Sequence, residues 1–210
     1  MKRTLAALLA ALLLSIPTQA HDWSKVAFRL SQATAMLTSG DGEGFCSGFS
    51  IDNKRDYLLT ASHCVHLEST WGGFLVDNIT PTLVADRPEQ DVAVLHVEGM
   101  DRPELKPRTD LIRVGMEVGT FGFALEDNFF YHFRAGNISG ITNGGEFGSY
   151  SNGEILIYFD QALVGGMSGG PTVDTDGKVV LVNQLSNRSS HSAGVNISSI
   201  YRATSQYWRQ

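Results

Sequence analysis

The segment Gly165-Gly166-Met167-Ser168-Gly169-Gly170-Pro171 holds one hydroxyl between pairs of glycines and is closed by a proline. Glycine accepts tight or positive-φ backbone and lets another chain come close. A serine held this way stands exposed, with backbone N–H groups free to point at whatever it attacks. An acyl-transfer nucleophile needs that arrangement: an attacking oxygen, and donors aimed where negative charge develops. A plain glycine-rich turn is the competing reading of this segment in isolation.

A serine hydroxyl is a weak nucleophile at neutral pH, so it needs a base, and the base needs an orienting partner. The chain has six histidines: His21, His63, His66, His96, His132 and His191. Of these, His63 directly follows an apolar, strand-like run, in Leu58-Leu59-Thr60-Ala61-Ser62-His63-Cys64. It is the candidate base, against the alternative of a histidine that merely ends a strand. His66 reads as an exposed neighbour. Asp91 heads the apolar run Val92-Ala93-Val94-Leu95, where a charge is costly unless paired. An imidazole N–H would satisfy it and fix the ring's tautomer. Asp86 and Asp101 are rivals for that role, both in polar stretches beside Arg and Pro.

The elements that must position these groups read as short strands. Residues 1–20 have the form of a secretory signal: Lys2 and Arg3, an apolar run from Leu5 to Ile16, then Pro17 and small residues, with cleavage expected near Ala20–His21. The apolar run is too short to span a bilayer comfortably, so the expectation is a secreted or periplasmic protein whose mature form has no membrane anchor. Losing Lys2 and Arg3 takes the formal charge from −6 to −8, which argues against a nucleic-acid or anionic-membrane surface. Cys46 and Cys64 form an even pair in an exported chain, which reads as one disulfide. Two cysteines are too few for a four-ligand zinc site; no metal or cofactor is expected. Sequons at Asn78, Asn137, Asn187 and Asn196 bear on the protein only where a host glycosylates.

With 22 glycines and short apolar runs, the chain has the texture of an all-β protein. Strands are expected from Val26–Leu37 onward, about six on each side of a polar linker at about 98–110. The predicted architecture is two antiparallel six-stranded β-barrels, at about 26–97 and 111–197. Ile197, Ile200, Tyr201 and Trp208 share a face at helical spacing, predicting a short C-terminal helix over 198–208 packed on the second barrel.

Taken in order, Thr60-Ala61-Ser62-His63-Cys64, Asp91-Val92-Ala93-Val94-Leu95 and Gly166-Met167-Ser168-Gly169-Gly170-Pro171 resemble the chymotrypsin-type, trypsin-like serine endopeptidases. The short spacings, and the run from Gly166 to Asn183, are similar to the bacterial HtrA-like branch in particular. The resemblance spans about Val26 to Trp208. It implies two β-barrels with the site between them and a protein or peptide substrate. It implies His63 as general base and acid, Asp91 as its orienting partner and Ser168 as nucleophile, with the N–H groups of Gly166 and Ser168 as oxyanion hole. Cys46–Cys64 matches the family's disulfide beside the catalytic histidine. The same resemblance sets Ala162 at the floor of the specificity pocket and Gln184, Leu185 and Gly194 in its walls. Ala162 carries no carboxylate, which predicts a small or medium aliphatic residue before the scissile bond; Asp160 would have to turn inward to change that.

The departures from the family are instructive. Digestive members carry aspartate just before the nucleophile, pairing with a newly cut N-terminus; HtrA-like members usually carry asparagine there and a PDZ module behind. Here the residue is Met167, and with 42 residues after Ser168 no such module is expected. Two other readings compete: a catalytically silent binding protein on the same fold, and copper binding through a mature N-terminal His21.

Overall fold

A computed structural model describes residues 21–40, 44–66, 73–125, 131–142, 156–160, 162–186 and 192–209. The expected signal segment and the sequon at Asn187 lie outside these residues.

The first strand expected, Val26–Leu37, is largely helix. Ser24–Ala33 forms helix α1, and only then does β1, Thr34–Ser39, begin. Within the stretch expected as strand, Val26, Leu30 and Ala33 recur at spacings of four and three, which places them on one helix face. Leu30 and Ala33 are buried, with Val26 packed beside them.

The first sheet contains β1, β2 (Gly44–Asp52), β3 (Tyr57–Thr60), β4 (Phe74–Val76), β5 (Thr82–Arg87) and β6 (Val92–His96). Its order is β4-β1-β2-β3-β6-β5, with every pairing antiparallel. A five-residue helix α2, Ser62–His66, follows β3. The second sheet contains β7 (Glu117–Phe123), β8 (Tyr131–Thr142), β9 (Leu156–Phe159), β10 (Pro171–Val173), β11 (Val179–Ser186) and β12 (Ser192–Asn196). These run β10-β11-β12-β9-β8-β7, and β7 meets β10 over only two residue pairs, Thr172↔Thr120 and Val173↔Gly119.

The expectation of two closed six-stranded barrels is therefore corrected. The molecule has two curled antiparallel sheets, and the first stays open, with β4 and β5 as unjoined edges. The cause is local. Asp77 and Asn78 both take positive φ, 49° and 68°, and turn the chain away from β4. Arg102, from the polar crossover, donates from Nε to the Asp77 carboxylate at 2.6 Å and from a terminal nitrogen to the Gln32 carbonyl. That pair ties the turn after β4 to the polar crossover and to the end of α1.

The largest core cluster joins the two sheets. Phe49, Ile51, Leu59, Val92 and Val94 of the first sheet pack with Phe121, Val173, Val179, Val182 and Val195 of the second. The C-terminal helix α3, Ile197–Thr204, is capped by the Asn196 side chain, which accepts from Ser198 N–H at 2.8 Å. It does not rest on the second sheet alone. Trp208, past its end, lies against Phe49, and Arg55 of the β2–β3 turn donates to the carbonyls of Gln206 and Trp208. At the other end of the described residues, Trp23 lies on Phe133 of the second sheet. Trp23 and Trp208 thus each pack on the sheet their own segment does not lead directly into or out of.

Candidate active site

His63 is the second residue of α2, and its position is held from three sides. The disulfide Cys46–Cys64 is present and ties β2 to α2 at the next residue. The backbone N–H of His63 donates to Asp91 Oδ1 at 2.7 Å, and its ring Nδ1 lies 2.8 Å from Asp91 Oδ2. A carboxylate can only accept, so Nδ1 is the donor in this pair. The His63 side chain keeps 29% of its exposure while that of Asp91 keeps 3%.

Asp91 owes its aim to backbone geometry. It ends the single 3-10 turn Pro88–Gln90 in a left-handed conformation, φ 48° and ψ 51°, immediately before β6. Aspartate tolerates that region better than most residues. The turn is braced from the second sheet: Gln184 Nε2 donates to the carbonyls of both Gln90 and Asp91, each at 3.0 Å. The backbone carbonyl of the same Gln184 accepts from Ser168 Oγ at 3.4 Å. Gln184, expected in a pocket wall, thus links the aspartate turn to the serine turn.

The rivals for the acid are accounted for. Asp86 accepts from Ser62 Oγ at 2.6 Å and lies 2.8 Å from His66 Nε2, so it serves the outer side of α2. His66 is exposed, as expected, while Asp86 is only partly so. Asp101 is exposed on the crossover.

The turn that carries Ser168 is held at four consecutive carbonyls. Gly165 O accepts from Leu125 N–H at 2.8 Å, and Gly166 O from Ser47 Oγ at 2.8 Å. Met167 O accepts from Gly170 N–H and, more weakly, from Asn183 Nδ2, and Ser168 O from Ser47 N–H at 2.8 Å. Successive peptide planes are thereby fixed from their carbonyl sides. Among the described residues, the N–H groups of Gly166 and Ser168 donate to nothing. Met167 points inward and is fully buried in the core of the second sheet. Two of the glycines are required by space as well as by their positive φ. A Cβ at Gly169 would strike Ser47 O and Thr60 Oγ1, and one at Gly166 would strike Phe123 O.

Asn183 and Ser47 are parts of this site that the sequence reading did not single out. Asn183 is fully buried; its Oδ1 accepts from Thr172 and Thr120, and its backbone N–H and C=O bind Gly170 and Gly169. A polar residue in an otherwise apolar strand, Val179-Val180-Leu181-Val182-Asn183, was the available signal. For Ser47 the signal was weaker, a small polar residue between Cys46 and Gly48.

Of the remaining expected pocket residues, Ala162 is half-buried beside Leu163, whose N–H donates to Ser192 Oγ at 2.6 Å. Leu185 pairs with Ala193, and Gly194 with Asn183 and Ile157. Gly194 faces Leu181 and the Val182 carbonyl. Asp160 does not turn inward: its carboxylate accepts from Asn137 N–H at 2.8 Å on the surface. One ring nitrogen of His63 and the two sulfurs lie within 4.8 Å of one another, but the disulfide occupies both sulfurs. His21 stands edge-on to Trp23. No helix of the described residues is long and apolar enough to cross a membrane.

Comparison with known proteins places the chain. The model of the trypsin-like peptidase domain matches residues 46–180. The chain is 30% identical over 162 residues to the serine protease Do-like HtrA of Bacillus subtilis, a match covering 74% of this chain and 35% of that one. It is 32% identical over 160 residues to a probable periplasmic serine endoprotease, DegP-like, of Pseudomonas fulva, covering 74% of this chain and 32% of that one. Among solved structures, the HtrA-type protease AlgW with decapeptide superposes with a TM-score of 0.73 at 20% identity, covering 89% of this chain and 67% of that one. At that identity the likeness is one of fold. The chain spans 16% to 35% of the length of the curated relatives it matches.

Proposed function

The chain belongs to the trypsin-like peptidase domain family, close to its HtrA-type branch, and on that footing we propose that it is a serine endopeptidase acting on protein or peptide substrates. The observation that carries the reading is the two-point hold of Asp91 on His63, at 2.7 and 2.8 Å. Its support is the serine turn, whose carbonyls from Gly165 to Ser168 are engaged while, among the described residues, the Gly166 and Ser168 N–H groups are not.

In this reading Ser168 Oγ attacks the carbonyl carbon of the scissile peptide, and its proton passes to His63 Nε2. The long 3.4 Å bond from Ser168 Oγ to Gln184 O is given up as it does so. Asp91 Oδ2 keeps the Nδ1 proton and stabilises the imidazolium, without itself being protonated. The oxyanion is received by the N–H groups of Gly166 and Ser168. His63 then protonates the leaving amine, and the amine departs from an acyl ester on Ser168. Water, deprotonated by His63, hydrolyses that ester and restores the serine.

For specificity, Ala162 at the pocket floor, with Leu181 behind Gly194, favours a small or medium aliphatic residue before the cut. The Asp160 carboxylate, engaged with Asn137, leaves an incoming Arg or Lys without a partner. Residues 1–20 act as an export signal cleaved near Ala20–His21, and the protein works in the periplasm or outside the cell. Incubation with a peptide library tests the reading. Cleavage after aliphatic residues, absent in Ser168→Ala, is expected; no cleavage, or cleavage undiminished in Ser168→Ala, overturns it.

A further inference from the structure

We propose that Ser47 is a positioning residue for the oxyanion hole, its hydroxyl setting the orientation of the turn that presents Gly166 and Ser168. The inference rests on the protease reading above, and it adds a residue outside the expected His63, Asp91 and Ser168.

Ser47 lies in β2 of the first sheet and is fully buried. Three of its hydrogen bonds leave that sheet. Its Oγ donates to Gly166 O at 2.8 Å and accepts from Phe123 N–H at 2.9 Å, and its backbone N–H donates to Ser168 O at 2.8 Å. One first-sheet residue therefore holds the Gly166–Met167 and Ser168–Gly169 peptides, each joined through a single Cα to the peptide whose N–H awaits the oxyanion.

The direction of these bonds has no alternative. Phe123 N–H can only donate, and Gly166 O can only accept. The single hydroxyl proton of Ser47 must therefore point at Gly166. If the Gly166–Met167 peptide flipped, it would present the Met167 N–H to Ser47 Oγ instead. The hydroxyl would then receive two donors, and its own proton would be buried without an acceptor, which is the costly arrangement. Gly166 itself offers little resistance to such a flip: it has no side chain and sits at φ 93°. Met167 N–H donates to Val164 O at 3.2 Å on the near side, and the restraint from across the cleft is the Ser47 hydroxyl, which the reaction never touches.

The test compares wild type, Ser47→Ala and Ser47→Thr in the intact protein. Removal of an oxyanion donor costs about 10²–10³ in kcat, so loosening one is expected to cost roughly 10- to 100-fold. In folded Ser47→Ala, kcat falls by that factor and KM stays within about twofold, since uniform binding is untouched. Affinity for a peptide boronate, which places an oxygen in the hole, falls by a factor similar to kcat. The acid limb of the kcat/KM profile stays in place, because His63 and Asp91 are not disturbed. A purely structural role would lower the melting temperature and leave these readouts alone, and kcat within about twofold in folded Ser47→Ala overturns the proposal. Should Ser47→Ala fail to fold, Ser47→Thr decides: it keeps the hydroxyl and is expected to keep kcat, and folded Ser47→Thr with a tenfold loss overturns it, on the same donor scale of roughly 10- to 100-fold. If wild type neither hydrolyses peptides nor binds the boronate, the protease reading itself has failed, and this role falls with it.

Discussion

Asp91 binds His63 twice, through the backbone N–H and through Nδ1, so one carboxylate sets both where the histidine sits and how its ring is turned. Replacing Asp91 by Asn keeps the shape but offers an N–H where an acceptor is needed, and the ring adopts the wrong tautomer. The corresponding change in a serine protease triad costs about 10⁴ in kcat. Asp91→Asn is expected to lose activity on that scale while keeping its fold, as checked by steady-state kinetics and circular dichroism. Activity within tenfold of wild type would remove Asp91 from this role.

The disulfide restrains the same histidine from its other side. Cys46 and Cys64 are 18 positions apart, and closing a loop of that size contributes roughly 3 kcal/mol. The Cys46→Ala, Cys64→Ala double variant should unfold at lower denaturant by that amount and should hydrolyse more slowly, because α2 loses its tie to β2. A non-reducing peptide map of wild type should show the linked pair. Unchanged stability in the double variant would contradict this account.

Met167 orders the serine turn by burial rather than by charge. It is fully buried in the second sheet's core, with no α-ammonium needed to hold it. Met167→Ala should cost about 2–5 kcal/mol, as truncation of a buried methionine does, and slow hydrolysis as the turn loosens. Acetylating the α-amine of the mature protein should leave hydrolysis unchanged. Loss of activity on acetylation would show that an N-terminal ion pair holds the turn after all.

These positions differ in how far they could be read in advance. His63, Asp91 and Ser168 could be singled out as candidates because each stands close to a short apolar or glycine-rich run, where a polar residue needs a reason. Most strands were legible for the same reason. Helix α1 was not: its first two turns mix Val26, Phe28 and Leu30, and Phe28 is 69% exposed, so alternation and helical spacing compete. The tie of the β4 edge to the crossover is made by Arg102 meeting Asp77 across 25 positions, a pairing no local pattern announces. Gln184 and Ser47 act through contacts 93 and 119 positions away, so their tasks appear only once the two sheets face each other.

Acid should act on the clasp made by the C-terminus. Burial alone raises the Asp52 carboxyl, but the Arg55 guanidinium and the N–H groups of Lys54 and Arg55 outweigh it and hold the carboxyl below its ordinary value of 3.8. A carboxyl depressed by folding contributes stability that is present above its unfolded pKa and lost as pH falls through the folded one. At neutral pH, Asp52→Asn should be less stable by about 2 kcal/mol, the scale of hydrogen bonds to a charged group, since Arg55 also carries the Gln206 and Trp208 carbonyls. The gap between wild type and Asp52→Asn should close below pH 3.8, as followed by denaturant melts. A gap that widens in acid would contradict the assignment.

The most direct test of the central claim is labelling with a fluorophosphonate, followed by mass spectrometry of the adduct. The probe reacts with a serine only when a base and an oxyanion site act on it together. The account predicts one adduct, on Ser168, in the wild-type protein. It predicts none in Ser168→Ala and almost none in His63→Ala, since nucleophile and base act as a unit worth on the order of 10⁶ in rate. No adduct on folded wild type, an adduct on another serine, or undiminished labelling of His63→Ala would contradict it.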